Sequence, residues 1–328
     1  MGESMDFVKW LGQDMSLKIF TSLDDPFDLI RTSAVSRSWR EFVIGNGLCK
    51  MLCLRKCPEV ASFVRVVVVE PRGTGVGGSG EWDCLEREHR VYAPLGRELI
   101  TSGGESCITE AVCASSTDHY PDESVNNTLE PSDGHGASYW SSKGATDPSA
   151  SETLIYKLAS QLCLVTELHV HPFQAYFQFG FPIYSPMAVR FHMGYSKDPL
   201  EIDNEETEYH DEMFVWTYSS PEFPMAQENL LQKFKLPKPI LCIGGILKVE
   251  LLGRLQTQET DGLYYTCIDH VQAIGLPLSP AFDVEMIGDT GKCTLKYNPS
   301  VDISETESSS HGAGPLIDAY DSDNEYLN

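Results

Sequence analysis

Apolar positions at the start of the chain recur at helical spacing. Leu11, Met15, Ile19 and Leu23 fall every four residues, which predicts a helix with one apolar stripe and Phe20 beside it. In "DDPFD", Asp25 reads as an N-cap and Pro26 as the first helical residue, where a missing N–H costs nothing; Asp28 lies near the positive helix end. A second helix follows through Leu29 and Ile30, and Ser36 caps a third that places Trp39, Phe42 and Val43 on a common side. Three helices this short cannot bury their apolar surface alone, so several of these side chains require a further partner.

From about Cys107 the period changes. Runs of apolar, aromatic and β-branched residues recur at "LIYKL", "LCLVTELHVHPF", "AYFQFGFPIY", "MAVRFHMGY", "MFVWTY", "ILKVELLGRLQ" and "LYYTCIDHVQAIG", separated by Pro, Gly and acidic turns. Many short strands with turn signals predict an all-β sandwich or jelly roll. In "VTELHVH", alternation assigns Val165, Glu167, His169 and His171 to one face and Thr166, Leu168 and Val170 to the other. The predicted organisation is α+β and multi-domain: helices over 1–58, a linker over 59–106 with a short strand, a Gly-rich loop and a helix, a sandwich over 107–298, and a disordered acidic tail over 299–328.

Charge narrows the partners. With 24 basic against 48 acidic residues the formal charge is −24, which repels nucleic acid and anionic lipid and favours proteins or neutral ligands. The longest apolar stretch, around Val64 to Val69, is too short to span a bilayer, and no basic flank precedes an apolar run, so the chain is expected in the nucleus or cytoplasm. Asp6 stands where a myristoylation signal needs Ser or Thr. The ten cysteines contain no C-x-x-C; Cys49, Cys53 and Cys57 form one helical stripe that suits a buried face better than a metal or redox site.

"VVVVEPRGTGVGGSGEW" holds Gly73, Gly75 and Gly78 at dinucleotide-loop spacing, but Pro71 and Arg72 separate them from the strand, and no alternation of strands and helices follows. The glycines therefore read as a surface loop. The pair His169 and His171, and separately His192, are metal candidates, but zinc needs three or four ligands and the sequence places no Cys or carboxylate beside them; the run Glu201 to Glu212 lacks the glycine-centred spacing of a calcium loop. No nucleophile elbow, zinc-binding helix or Walker loop is legible, so neither a catalytic residue nor a cofactor is assigned. In the tail, Ser304 and Ser322 each precede a Glu by three residues, a pattern that acid-directed kinases favour.

Two resemblances organise these observations. The order Leu11, Asp14, Ile19, Leu23, Leu29, Val35, Ser36, Trp39, with "VSRSW", resembles the F-box, a three-helix motif that docks onto a Skp-type adaptor in cullin-RING (SCF) ubiquitin ligases. The usual Leu-Pro opening is here Leu11-Gly12, which loosens the start of the first helix. "ASSTDHYPDESVNNTLEPSDGHGASYWSSKG" is similar to the opening of galactose-binding-like (discoidin) domains, through Ala114, Ser115, Ser116, Tyr120, Pro121, Asn127, Leu129 and Tyr139 to Ser142. Such domains often hold a structural calcium, which would fall near Glu130 and Asp133, although "EPSDGHGA" departs from the compact family loop. The combination resembles a group of plant F-box proteins.

The resemblance implies a non-catalytic substrate receptor of an SCF ligase. Leu11, Met15, Ile19, Leu23, Leu29, Val35 and Trp39 would meet the adaptor, the sandwich would hold an unknown target protein, and no metal is required. Tyr139 and Trp140 are the candidate ligand-binding aromatics, able either to stack on a sugar or to close the core. The alternative is a carbohydrate- or glycoprotein-binding sandwich without a ligase role.

Overall fold

The computed structural model describes residues 6–69, 80–101, 103–132, 138–199 and 209–301. Five α-helices open the described chain: α1 (Phe7–Thr21), α2 (Pro26–Ser33), α3 (Arg37–Gly45), α4 (Leu48–Lys56) and, after strand β1 (Phe63–Val68), α5 (Glu81–Glu98). The anticipated caps form. Asp25 accepts the Phe27 N–H at 2.8 Å, and Ser36 accepts the Trp39 N–H at 3.3 Å. Gly12 breaks α1 with φ of 75° and ψ of 172°, so the Leu-Gly opening produces a kink that a Pro, locked near −65°, could not adopt. Among the described residues no helix is long and apolar enough to cross a membrane.

The strands that follow are β2 (Glu105–Ser106), β3 (Ile108–Ala114), β4 (Trp140–Ser141), β5 (Glu152–Leu158), β6 (Leu162–Pro172), β7 (Pro186–Ser196), β8 (Phe214–Ser219), β9 (Phe223–Pro224), β10 (Gln232–Ile243), β11 (Ile246–Arg254) and β12 (Cys267–Pro277). One sheet runs β10-β6-β12-β2 with β4 added on β12, and the other runs β3-β5-β11-β7-β8 with β9 added on β7. Their facing side chains, among them Tyr156, Val170, Phe191, Val249 and Val271, form one core. This is the expected β-sandwich. Two details differ from the pattern reading. "AYFQFGFPIY" is a loop, because Gly180 and Phe181 take φ of 79° and 51° and Pro182 follows. In β6 the register against β12 slips between Val165 and Glu167, leaving Thr166 as the extra residue, so Val165 joins Leu168 and Val170 in the core.

The strands β13 (Phe282–Ile287) and β14 (Lys292–Tyr297) lie in neither sandwich sheet. β14 pairs in parallel with β1, giving a three-stranded sheet β1-β14-β13. Residues 282–297, expected in the sandwich, thus complete the N-terminal unit, because an isolated β1 would leave its ladder unpaired. Likewise the expected linker helix α5 is packed: its Gly96 comes within reach of Pro26 and Cys53, where an added Cβ would stand 3.4 and 3.5 Å away. Cys49, Cys53 and Cys57 are buried in the same core, and burial pushes the Cys49 and Cys57 thiols up to about 12. The second core also takes Leu162, Leu164, Leu241 and Ile243 from the outer face of β6 and β10. "LCLV" and "ILCI" are continuous apolar runs because these strand ends are covered on both sides.

Candidate functional site

Two surfaces stand out by chemistry. On the helical unit, Trp10 (71% exposed), Met15, Ile19, Phe27 and Val35 (61% exposed) present large apolar side chains to solvent. Met15 and Ile19 lie one turn apart on α1, and Val35 sits in the turn between α2 and α3. Beneath them Trp39 is half-buried, with its ring edge-on to Phe20 at 5.4 Å. The Trp39 indole N–H donates to Asp6 at 2.9 Å, and the Ser38 hydroxyl donates to the same carboxylate. Those bonds, from Ser38 first, hold the Asp6 carboxyl below the ordinary carboxylate range and tie the start of α1 to α3. Leaving this much apolar surface uncovered costs solubility unless another polypeptide covers it.

At one end of the sandwich, a cavity of about 240 Å³ opens between the segment around Asp118 and the loop joining β6 to β7. Tyr139 stacks on Phe173 with centroids 3.8 Å apart, and Phe177, Tyr184 and Tyr265 extend the aromatic wall. The Tyr139 hydroxyl donates to Glu123 at 2.7 Å, and the Tyr265 hydroxyl donates to Asp261 at 2.7 Å. Burial, reinforced by the Glu123 carboxylate, raises the Tyr139 phenol; burial pushes Tyr184 up to about 12. His119 lies at the rim, 3.1 Å from the Asp118 carboxylate and 3.4 Å from that of Glu123, and the Glu123 bond followed by the Asp118 charge raises its pKa.

The F-box-like family pattern matches residues 13–55, the stretch that forms α1 to α4. An F-box protein of Arabidopsis thaliana is 48% identical over 322 residues, covering 92% of this chain and 85% of its own length. The chain belongs to the F-box proteins. Solved structures to which the chain is similar include a family 32 carbohydrate-binding module from Clostridium perfringens in complex with galactose, at 15% identity and TM-score 0.32, covering 50% of this chain and 97% of the module. A fucolectin from Morone saxatilis serum is also similar, at 11% identity and TM-score 0.34, covering 56% of this chain and 50% of its own.

In this F-box protein the seven residues expected at the adaptor are divided by burial. Met15, Ile19 and Val35 are exposed, while Leu11, Leu23 and Trp39 are half-buried. Leu29 is only 2% exposed and belongs to the interior, because α2 turns that side toward α4 and α5. Trp10 and Phe27 were missed: Trp10 precedes the kink that resets the helical phase, and Phe27 lies off the stripe. Of the two candidate aromatics, Trp140 is fully buried in the sandwich core, where its indole N–H donates to the Ser116 carbonyl at 3.0 Å. Tyr139 alone reaches the cavity.

The histidines have other partners. His169 lies 3.2 Å from Glu167 and 3.3 Å from Gln272, His171 lies 2.9 Å from both Asp269 and Asn229, and His192 bonds Glu250 and Ser219 in the opposite sheet. Nothing brings the three together. Asp118, His119 and Glu123, which no spacing in the sequence singles out, place one ligand atom each within 4.8 Å of one another. Glu130 is exposed, whereas Asp133, Gly73, Gly75, Gly78, residues 201–208 of the acidic run, Ser304 and Ser322 lie outside the described residues.

Proposed function

We propose that this F-box protein is the substrate-recognition subunit of an SCF-type ubiquitin ligase, acting in the nucleus or cytoplasm. The observation that carries the reading is the set of apolar side chains left uncovered on the F-box helices, Met15, Ile19 and Val35 with Trp10 and Phe27, in a chain of this family. A Skp-type adaptor would cover them and link the chain to the cullin. The sandwich would hold the target. Because Leu162, Leu164, Leu241 and Ile243 of the sandwich enter the helical core, adaptor and target would sit in a fixed geometry rather than on a tether. Such a subunit needs no catalytic group of its own. It supplies proximity, raising the effective concentration of target lysines near the ubiquitin thioester.

The test is co-purification of the full chain with a Skp-type adaptor and cullin from plant tissue. Retention by the wild type and loss in Met15→Asp/Ile19→Asp, with unchanged thermal stability, supports the reading. Equal retention by both overturns it.

A further inference from the structure

The cavity at the sandwich end differs from the helical face in both walls and charge. Its walls are aromatic, with the Tyr139–Phe173 stack backed by Tyr184 and Tyr265. Its charged groups are the carboxylates of Asp118 and Glu123, with His119 between them, and no lysine or arginine occurs among the described residues that line it. Two carboxylates against one imidazole leave the rim negative even when His119 is protonated. Glu123 already accepts the Tyr139 hydroxyl through one oxygen, which fixes its carboxylate beside the rings.

The loop that forms one wall continues the surface outward. Tyr176, Phe177, Phe179 (91% exposed) and Phe181 all present rings to solvent, and Phe177 both lines the cavity and is exposed. Phe181 takes φ of 51°, a left-handed conformation that an L-residue with a bulky side chain rarely adopts. Four exposed aromatic rings beside one small cavity offer more apolar surface than a single sugar ring covers.

We infer that this cavity receives a single cationic side chain, an arginine or lysine, from an extended segment of a partner protein, whose apolar neighbours lie on the aromatic loop. Charge complementarity selects the occupant: a guanidinium or ammonium finds carboxylates at the rim and aromatic side chains on the walls, against which its alkyl stem packs. An acidic segment meets net repulsion, because two carboxylates outweigh the one imidazole. The inference deepens the target-binding half of the function proposed above, and it is independent of the helical face.

The experiment uses the purified full chain with its adaptor and an oriented peptide library whose central residue is fixed as Arg, Lys, citrulline or Glu, its neighbours being randomised. Arg- and Lys-centred pools should be retained, and fluorescence anisotropy on a selected peptide should show binding roughly tenfold or more tighter for Arg than for citrulline, which keeps the shape and removes the charge. Added salt should narrow that gap. Glu123→Gln should remove the preference for Arg over citrulline, and Phe177→Ala, an exposed position whose loss leaves the core intact, should weaken every peptide. If Glu123→Gln fails to fold, the gap between Arg and citrulline peptides on the wild-type chain, and its narrowing with salt, decides the matter.

Equal binding of Arg and citrulline peptides, retention of the Glu pool, or no retained peptide overturns the inference. So does a cavity occupied by galactose or by glucosamine oligomers that no peptide displaces. Adaptor co-elution is measured in the same runs by size-exclusion chromatography. Loss of peptide binding with the adaptor retained therefore rejects the cavity alone and leaves the ligase reading standing.

Discussion

Leu164 and Val165 are consecutive residues of β6, yet their side chains enter different cores: Leu164 the helical one, Val165 the interior of the sandwich. The same split recurs at Leu241 and Cys242 on β10. The F-box helices and the sandwich therefore share a strand pair as a common wall. Such a joint predicts one cooperative unfolding transition rather than two. Far-UV circular dichroism and tryptophan fluorescence should give superimposable urea curves. Leu164→Ala should shift both together by about 2–5 kcal/mol, and two resolved transitions would contradict the shared wall.

The exposed apolar face proposed to meet the adaptor and the core beneath it should respond differently to mutation. Val35→Asp should release the adaptor at little cost in stability, because an exposed position tolerates a charge. Leu29→Ala should instead cost about 2–5 kcal/mol through the cavity it leaves. Adaptor pull-down and thermal melts, measured on both variants, separate the two effects.

Gly12 provides a test of the kink. A Cβ there would meet nothing within 4 Å, so the cost of Gly12→Ala is conformational and about 1–3 kcal/mol, since φ of 75° with ψ of 172° is a backbone region nearly confined to glycine. Gly12→Pro, which restores the common Leu-Pro opening, should be worse, since proline cannot reach φ of 75°. Chemical denaturation of the three proteins should rank them Gly, Ala, Pro in falling stability.

Arg254 and Glu152 form an ion pair with side chains 3% and 7% exposed. Arg254 also donates to the Lys143 carbonyl at 2.7 Å and to the Tyr264 carbonyl at 2.9 Å, while Glu152 accepts from Ser115 and, at 2.8 Å, from Ser116. Removing one partner strands the other charge. Arg254→Met should cost about 3–5 kcal/mol, and the double variant with Glu152→Leu should recover much of that loss. Urea titration of the double-mutant cycle gives the answer.

His171 sets a pH dependence. Its ring nitrogens face the Asp269 carboxylate and the Asn229 carbonyl oxygen, each at 2.9 Å, so both donate in the imidazolium form. The bond to Asp269 raises its pKa, against the opposing effect of burial. A raised folded value means that this stabilisation is complete below the unfolded pKa of about 6.5 and fades as pH rises through the folded one. His171→Gln should therefore destabilise most in mild acid and least above neutrality. A variant whose deficit grows with pH would refute the assignment.

The helices were legible because capping chemistry and four-residue spacing are local. Asp25, Pro26 and Ser36 act where they stand. The serines of "ASS" and "YWSS" were recognisable from resemblance, and the structure shows what they hold, since Ser115 and Ser116 bond Glu152 and Ser142 accepts from Arg254 at 3.1 Å. What failed to show was non-local. β10 carries no legible strand pattern because Pro237 and Pro239 interrupt it where its register against β6 shifts, between Lys235 and Ile240. The aromatic loop imitated a strand, since bulky rings favour strands and give no hint that Gly180 and Phe181 reverse the backbone. The cavity itself joins Glu123, Tyr139, Phe173 and Tyr265 from distant stretches, which no spacing rule connects.

The parallel ladder between Phe63–Val68 and Lys292–Tyr297 has a bearing on biosynthesis. The strand that finishes the N-terminal unit leaves the ribosome long after its partner, so the helices stay incompletely packed until the whole sandwich has been translated. A nascent chain, or one cut short ahead of Lys292, lacks the strand that pairs with Phe63–Val68 and the Cys293, Leu295 and Tyr297 side chains that enter the helical core. Full packing of the helical core is thereby made conditional on the sandwich having been synthesised.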